Sequence, residues 1–336
     1  MIKEAISKLV EKQNLSSLEA HGAMSEIMGG SATEAQIAGF LIGLRLKGET
    51  PEEIAGCARS MREQAIKIHT THMSVIDTCG TGGDSSGTFN ISTTAAIIAC
   101  AAGAVVAKHG NKAVSSRCGS ADVLKALGVN IEIPADKVSQ ILDDVGITFL
   151  FAPVMHQAMK FAVGVRKDLA VRTIFNILGP LTNPAGAKRQ VLGVFQASLT
   201  ETMASVLKEL GSEHALVVHG EGGLDELSTV GKTKVSELRN GEVTTYELKA
   251  GDAGVELTTV EAILGGDTEK NVEILKGILG GRNGAPREIA VLNAGAAIFV
   301  AGKASSLKEG VREARSALDN GSAKKKLEQW IDATNS

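Results

Sequence analysis

Aromatic residues are scarce: one Trp, one Tyr and eight Phe make up 3% of the chain, leaving few platforms on which bases could stack. A basic excess is also missing. With 35 Lys and Arg against 38 Asp and Glu the net charge is −3, so counterion release offers little to a dedicated nucleic-acid binder, although a local basic patch stays open. The four cysteines, Cys57, Cys79, Cys100 and Cys118, contain no C-x-x-C pair and fall in helical or loop patterns. Reduced thiols are expected, with neither a zinc site nor a disulfide framework. The apolar run near residues 95–107 is too short to span a bilayer. Met1-Ile2-Lys3-Glu4 begins a charged amphipathic helix rather than a signal peptide, so the expectation is a cytoplasmic protein with no membrane partner.

What is present is enough apolar residue to bury a large core: 43% of 336 residues are hydrophobic and 22% charged, which suits two domains. Residues 1–66 carry helix signals in series. Ser16 with Glu19, Ser31 with Glu34, and Thr50-Pro51-Glu52-Glu53 all have capping-box spacing. Ile37, Phe40, Leu41 and Leu44 recur at i, i+3, i+4, i+7, a face built for helix packing. From Val75 the texture changes to short apolar strands separated by helices: Val105-Val106, Thr148-Phe149-Leu150, Val191 to Phe195 and Leu216-Val217-Val218. That alternation predicts an α/β domain over 67–336 with a mostly parallel central sheet. Residues 162–184, punctuated by Gly164, Gly179, Pro180 and Pro184, read as a crossing that partly joins the helical domain. The C-terminal part returns to helices, with Ser306 capping toward Glu309 and Ser322 opening the turns that include Trp330; it carries no evident enzyme chemistry.

The chemistry concentrates after the strands. Apolar Val75-Ile76 reads as a buried strand end, followed by Asp77-Thr78-Cys79-Gly80-Thr81-Gly82-Gly83-Asp84 and then Asn90-Ile91-Ser92-Thr93, which opens an apolar helix expected over 94–102. Glycines let backbone N–H groups converge and the helix N-terminus adds partial positive charge, so the loop suits an anion. It is neither common nucleotide pattern: Ser85 stands where a dinucleotide fingerprint has its third glycine, and Thr88 follows Gly87 where a P-loop has Lys. A tight turn without ligand fits this stretch alone equally well. Strand Val105-Val106 then leads into Lys108-His109-Gly110-Asn111-Lys112 and Ser115-Ser116-Arg117-Cys118-Gly119-Ser120-Ala121-Asp122. If the two strands are neighbours, both loops face one pocket, large enough for more than one phosphate. Taken singly, Lys108 is also compatible with a solvated strand end and His109 with a packed or capping histidine. His69-Thr70-Thr71-His72 reads as a connector. A third strand empties into His219-Gly220-Glu221-Gly222-Gly223-Leu224-Asp225-Glu226, whose adjacent acids suit solvated surface or, beside phosphates, magnesium.

Together, Gly80-Thr81-Gly82-Gly83-Asp84, Asn90-Ile91-Ser92-Thr93, Lys108-His109-Gly110-Asn111, Gly119-Ser120-Ala121-Asp122, Arg172-Thr173-Ile174-Phe175-Asn176, Gly179-Pro180-Leu181-Thr182-Asn183-Pro184 and Asp225-Glu226 closely resemble the anthranilate phosphoribosyltransferase family, over nearly the whole chain. The resemblance implies a small helical domain beside a large α/β domain of the nucleoside phosphorylase/phosphoribosyltransferase kind, a homodimer, and transfer of phosphoribosyl from phosphoribosyl pyrophosphate (PRPP) to anthranilate in tryptophan biosynthesis. By motif, Gly80, Gly83, Asp84, Thr88 and Asn90 with Ile91, Ser92 and Thr93 would hold PRPP. So would Lys108, His109, Gly110, Asn111, Lys112, Ala113, Val114, Ser115 and Ser116, together with Ser120. Ser92, Asp225 and Glu226 would ligate magnesium, two ions per monomer. Asn111 and Arg166 would meet anthranilate, a guanidinium fork matching a carboxylate bidentately. Lys108, against the departing pyrophosphate, and Arg166 are the expected catalytic side chains. Lys112 departs from the family's frequent Lys-His-Gly-Asn-Arg: charge is retained and the fork is lost. Two other readings share the architecture. A pyrimidine nucleoside phosphorylase would use free phosphate, with no pyrophosphate requiring two metals, and a non-catalytic nucleic-acid-binding relative would need neither the intact Gly80 to Asp84 motif nor a net charge of −3.

Overall fold

The computed structural model describes residues 1–84, 86–113 and 117–336. Four helices come first, α1 (Ile2–Val10), α2 (Ser17–Met28), α3 (Glu34–Lys47) and α4 (Pro51–Gln64). A βαβ unit follows, β1 (Ile76–Gly80), α5 (Ile91–Ala101) and β2 (Val106–Gly110), then α6 (Ser120–Leu127), α7 (Ala135–Val145) and β3 (Ile147–Phe151). The crossing holds α8 (Ala152–Met155), α9 (Lys160–Leu169) and α10 (Phe175–Leu178) and delivers the chain to β4 (Arg189–Gly193), α11 (Leu199–Glu209) and β5 (His214–Gly220). A hairpin of β6 (Lys232–Arg239) and β7 (Glu242–Lys249) precedes α12 (Thr268–Leu279), α13 (Ala285–Val300), α14 (Leu307–Asp319) and α15 (Ser322–Asn335).

The sheet runs β3-β2-β1-β4-β5-β6-β7, parallel through β5 and antiparallel at the β6 and β7 edge. The mostly parallel sheet is therefore present, with an antiparallel edge the strand pattern does not reveal. β7 is polar because it is largely exposed, and the available signal is its turn: Asn240 and Gly241 both take positive φ, as a two-residue hairpin requires. Three other expectations shift in detail. Asp77, Thr78 and Cys79 lie in β1 and Lys108, His109 and Gly110 in β2, not in the loops after them, so Cys79 is a strand residue. Helix α5 starts at Ile91 rather than at Thr94. The cap of α3 is Thr33 with Gln36, not Ser31 with Glu34; the Ser31 hydroxyl donates to the Glu26 carbonyl instead.

One sheet face packs on α5, α6 and α12–α15, where Trp330 is buried; the other shares a core with α1–α4, α9, α10 and α11. The helical bundle is therefore fastened to the sheet by apolar contact. Polar bonds reinforce the seam: on α4, Arg62 Nε donates to the Leu181 carbonyl at 2.6 Å and Arg59 pairs with Glu209 at 3.6 Å. Helices α2 and α4 approach so closely that a Cβ at Gly56 would strike the Ser17 carbonyl. Inside the bundle, Glu53 is fully buried and accepts from Leu15 N and Thr50 N, both at 2.8 Å, and from Lys47 Nζ at 2.9 Å. One carboxylate thus ties two interhelical loops and a nearly buried cation. Removing it takes the counter-charge from Lys47 and the acceptor from two backbone N–H groups, so Glu53→Ala is expected to destabilise the protein by about 3 kcal/mol. Urea unfolding followed by circular dichroism checks this, and a change below about 0.5 kcal/mol would place Glu53 with ordinary surface substitutions.

All four cysteines are buried, and burial raises each thiol, Cys100 to about 12, which keeps them protonated and unreactive at neutral pH. No helix among the described residues is long and apolar enough to cross a membrane.

Candidate active site

Strand order reverses between β1 and β4, and the crevice outside their carboxyl ends is where an open α/β sheet binds ligands. The glycine loop leaves β1 at this point. Gly80 and Gly193 are paired across β1 and β4, and Asp225 lies directly over both: a Cβ at Gly193 would overlap its backbone and one at Gly80 its carboxylate. These glycines are there to let Asp225 approach. Its Oδ2 accepts from Gly82 N at 2.9 Å, while Glu226 Oε1 accepts from Ser92 N at 3.1 Å in the first turn of α5. The two acids thus bind the glycine loop and the helix N-terminus from the far side of the crevice. Leu224, buried and bridged to Gly220, fixes the preceding turn, so the pair is placed rather than free surface.

Burial pushes both carboxyls up; the charge of Asp84 adds to it at Asp225, and that of Asp225 adds to it at Glu226. Lys108 works against the rise at Glu226. Such a set calls for a cation. Ser92 Oγ, two crowded carboxylates and the nearby Asp84 are hard oxygen donors, and no three His, Cys, Asp or Glu among the described residues close a complete metal cage. Those donors fit magnesium held by few protein ligands, with the remaining positions left to water and phosphate.

Lys108 is 2% exposed. Its ammonium donates to the Thr78 carbonyl and, at 3.2 Å, to Ser92 Oγ, so it reaches the crevice from below. His109 turns inward. Its Nδ1 lies 3.0 Å from the Gly179 carbonyl, which makes that nitrogen the donor, and its Nε2 lies 3.2 Å from His156 Nε2. Burial lowers His109 to about 3, helped by His156, and lowers His156 to about 4, so both rings are neutral at pH 7. The side chain of His109 is therefore committed to the crossing, and Gly110 beside it is packed so closely on Ser120 and Phe149 that a Cβ would collide.

The second loop is closed at its base. Asp122 Oδ2 accepts from Ala113 N at 3.0 Å and Gly119 N at 2.9 Å, and Ser120 Oγ donates to the Asn111 carbonyl at 3.2 Å. Lys112 Nζ stands 5.6 Å from the Phe151 ring centre, a contact a point charge can make without a guanidinium fork. Asn90 bridges the two loops by donating from Nδ2 to the Cys118 carbonyl at 3.2 Å. Its Oδ1 and the Thr93 hydroxyl are buried with no partner among the described residues, polar atoms left over at a helix N-terminus. Thr88 lies beside them, bridged to Leu264. Val114, Ser115 and Ser116 lie outside the described residues.

In the crossing, Arg166 of α9 stands 5.1 Å over the Phe175 ring, and burial lowers its pKa. Among the described residues its guanidinium has no carboxylate partner. A half-desolvated cation without a counter-ion suits an anionic ligand.

Several supporting residues take roles that the motifs did not assign. Arg172 donates to the Gly83 carbonyl at 2.6 Å and lies 4.3 Å over Phe195, which ties the glycine loop to the crossing. Asn271, 2% exposed on α12, accepts from Asn90 N at 3.2 Å, so the C-terminal helices do contribute to the site. Asp77, fully buried, accepts from His109 N at 3.0 Å and Asn183 Nδ2 at 2.8 Å; burial raises its carboxyl and Lys108 opposes the rise.

Residues 72–324 match the glycosyl transferase family, a/b domain, and residues 3–65 the glycosyl transferase family, helical bundle domain. An anthranilate phosphoribosyltransferase of Acetivibrio thermocellus is 54% identical over 336 residues, covering 100% of this chain and 97% of that one. The crystal structure of the Thermus thermophilus enzyme of that name superposes with a TM-score of 0.94 at 44% identity, covering 99% of both chains. The Saccharomyces cerevisiae enzyme in complex with PRPP and Mg superposes at 0.90 with 28% identity, covering 99% of this chain and 98% of that one. Identity of this extent over both domains, joined to the crevice just described, shows that the chain belongs to the anthranilate phosphoribosyltransferase family.

Proposed function

We infer that this chain transfers the phosphoribosyl group of PRPP to the amine of anthranilate, giving N-(5-phosphoribosyl)anthranilate and pyrophosphate. One observation carries the reading: the glycine cradle, whose Asn90 Oδ1 and Thr93 hydroxyl have no partner among the described residues, is met by a crowded acid pair, while Arg166 of the crossing has no carboxylate partner among those residues. A polyphosphate sugar needs the first two and an aromatic carboxylate the third. The Saccharomyces cerevisiae relatives with PRPP and Mg, and with 4-fluoroanthranilate, support the same pair of ligands here.

In this mechanism the backbone amides of Gly80 to Asp84 and of Asn90 to Thr93 bind the phosphate oxygens, and residues 108–116 with Ser120 share in holding the ligand. Ser92, Asp225 and Glu226 would hold magnesium, two ions per monomer. Bound magnesium neutralises charge that builds on the departing pyrophosphate. Lys108 adds a buried ammonium at the same side, where low dielectric strengthens it. Arg166 and Asn111 orient anthranilate. The amine of an aromatic acid is neutral near pH 7, so no histidine is needed as a base, in keeping with the inward-facing His109 and His156. Positioning supplies the rest: aligning amine and anomeric carbon can contribute roughly 7–11 kcal/mol.

The helices of residues 1–66, with part of 162–184, act as one domain against 67–336 and close on the substrates. The chain works as a cytoplasmic homodimer; exposed Val10, Leu18 and Leu46 on the helical domain support a partner surface there. Anthranilate fluorescence tests the function. Purified protein should abolish the signal only with anthranilate, PRPP and magnesium all present; persistent signal with PRPP still bound would assign a different acceptor.

A further inference from the structure

Parallel strands β1 and β4 keep five paired positions, as do β2 and β3, but β1 and β2 pair only at Ile76 with Val106. Beyond that point the ladder is replaced by side chains. Continuing the bond from Ile76 N to the Val105 carbonyl, a regular ladder would next use the Ala107 carbonyl, the Thr78 carbonyl and the His109 N–H. Here Ala107 O accepts from Asn183 Nδ2 at 2.8 Å, Thr78 O from the Lys108 ammonium, and His109 N donates to Asp77 Oδ1 at 3.0 Å. Asn183 Nδ2 also donates to Asp77 Oδ2 at 2.8 Å, so acid and amide form one buried wedge between the strands. Three displaced backbone groups, the Ala107 and Thr78 carbonyls and the His109 N–H, thus find side-chain partners, which makes the opening a built feature rather than a frayed end.

The opening decides where Lys108 points. Its ammonium occupies the seam, bonded to a backbone carbonyl that regular pairing would have consumed, and from there reaches Ser92 Oγ. We propose that Asp77 and Asn183 are positioning residues for the transfer reaction, holding β1 and β2 apart so that Lys108 projects through the seam into the crevice. The proposal rests on the phosphoribosyl-transfer reading above and extends it to two side chains that touch no substrate. It also assigns a task to Asn183 of the Gly179 to Pro184 motif: it fixes the interdomain crossing to the strand that carries Lys108.

The test is the double variant Asp77→Val/Asn183→Val, in which β-branched apolar residues let the ladder close and leave no buried polar atom on the wedge. The expected result is a folded protein whose melting temperature is within a few degrees of wild type, with kcat reduced about a hundredfold and KM for anthranilate within threefold. A structural role alone would lower stability and activity together. Wild-type kcat in the folded double variant would overturn the proposal, whereas absence of transfer in the wild-type control would instead overturn the reading it rests on. If the double variant does not fold, Asn183→Ala removes half the wedge and keeps the Asp77 to His109 bond. It should cost about tenfold in kcat at unchanged anthranilate KM, and unchanged kcat there overturns the proposal equally.

Discussion

Replacing Asp225 and Glu226 together by alanine is expected to lower turnover about a thousandfold, equivalent to about 4 kcal/mol of lost transition-state stabilisation. The two carboxylates are the acidic side of the crevice, and each is bonded to a backbone amide of the opposing phosphate loop. They do not stabilise the empty fold as charges: burial and mutual repulsion oppose their ionisation. The variant should therefore melt in EDTA no lower than wild type, and the rise in melting temperature that magnesium gives with PRPP should vanish. Steady-state rates across a magnesium titration, with melting curves alongside, check both statements. Turnover at the wild-type rate under limiting magnesium would remove these residues from the metal site.

Arg166→Met is expected to raise KM for anthranilate about a hundredfold while leaving KM for PRPP within threefold. Methionine keeps an unbranched stem to pack on Phe175 and deletes the charge that stands there without a carboxylate partner. Losing one side of a desolvated, hydrogen-bonded charge pair costs about 2–5 kcal/mol, which brackets that effect. Arg166→Lys should recover only part of it, because an ammonium cannot present two parallel donors to a carboxylate. Initial rates with each substrate varied in turn decide the matter; an equal loss toward both substrates would mean that Arg166 maintains the crossing rather than binding the acceptor.

Much of this is legible in the sequence because its signals are local. Capping boxes at Ser16 and Thr50 start α2 and α4, the Ile37 to Leu44 stripe is core, and alternating strands and helices imply the parallel sheet. The glycine loop, the Lys108 strand end and the Asp225-Glu226 pair each have a plain reading taken singly, as turn, solvated strand end and surface, and suggest a phosphate site with a metal only in combination. Resemblance of the motifs taken together then names the family. The misses share a cause. Pattern alone makes β1 and β2 too short because Asp77 and Lys108 are polar, yet both are buried inside the sheet, where a charge is tolerated only with partners that sequence spacing cannot reveal.

The sequence by itself determined the helical region, the α/β region and the position of the glycine loop, because caps, strand–helix alternation and turns are written in adjacent residues. Only the tertiary structure decided what brings them together. Asp225 reaches Gly82 across 143 positions of chain, Asn183 reaches Asp77 across 106, and Asn271 supports Asn90 across 181. These contacts arise where β1 stands between β2 and β4 in the sheet. That strand order is fixed by burying two apolar faces at once, a property of the whole chain and of no single motif in it.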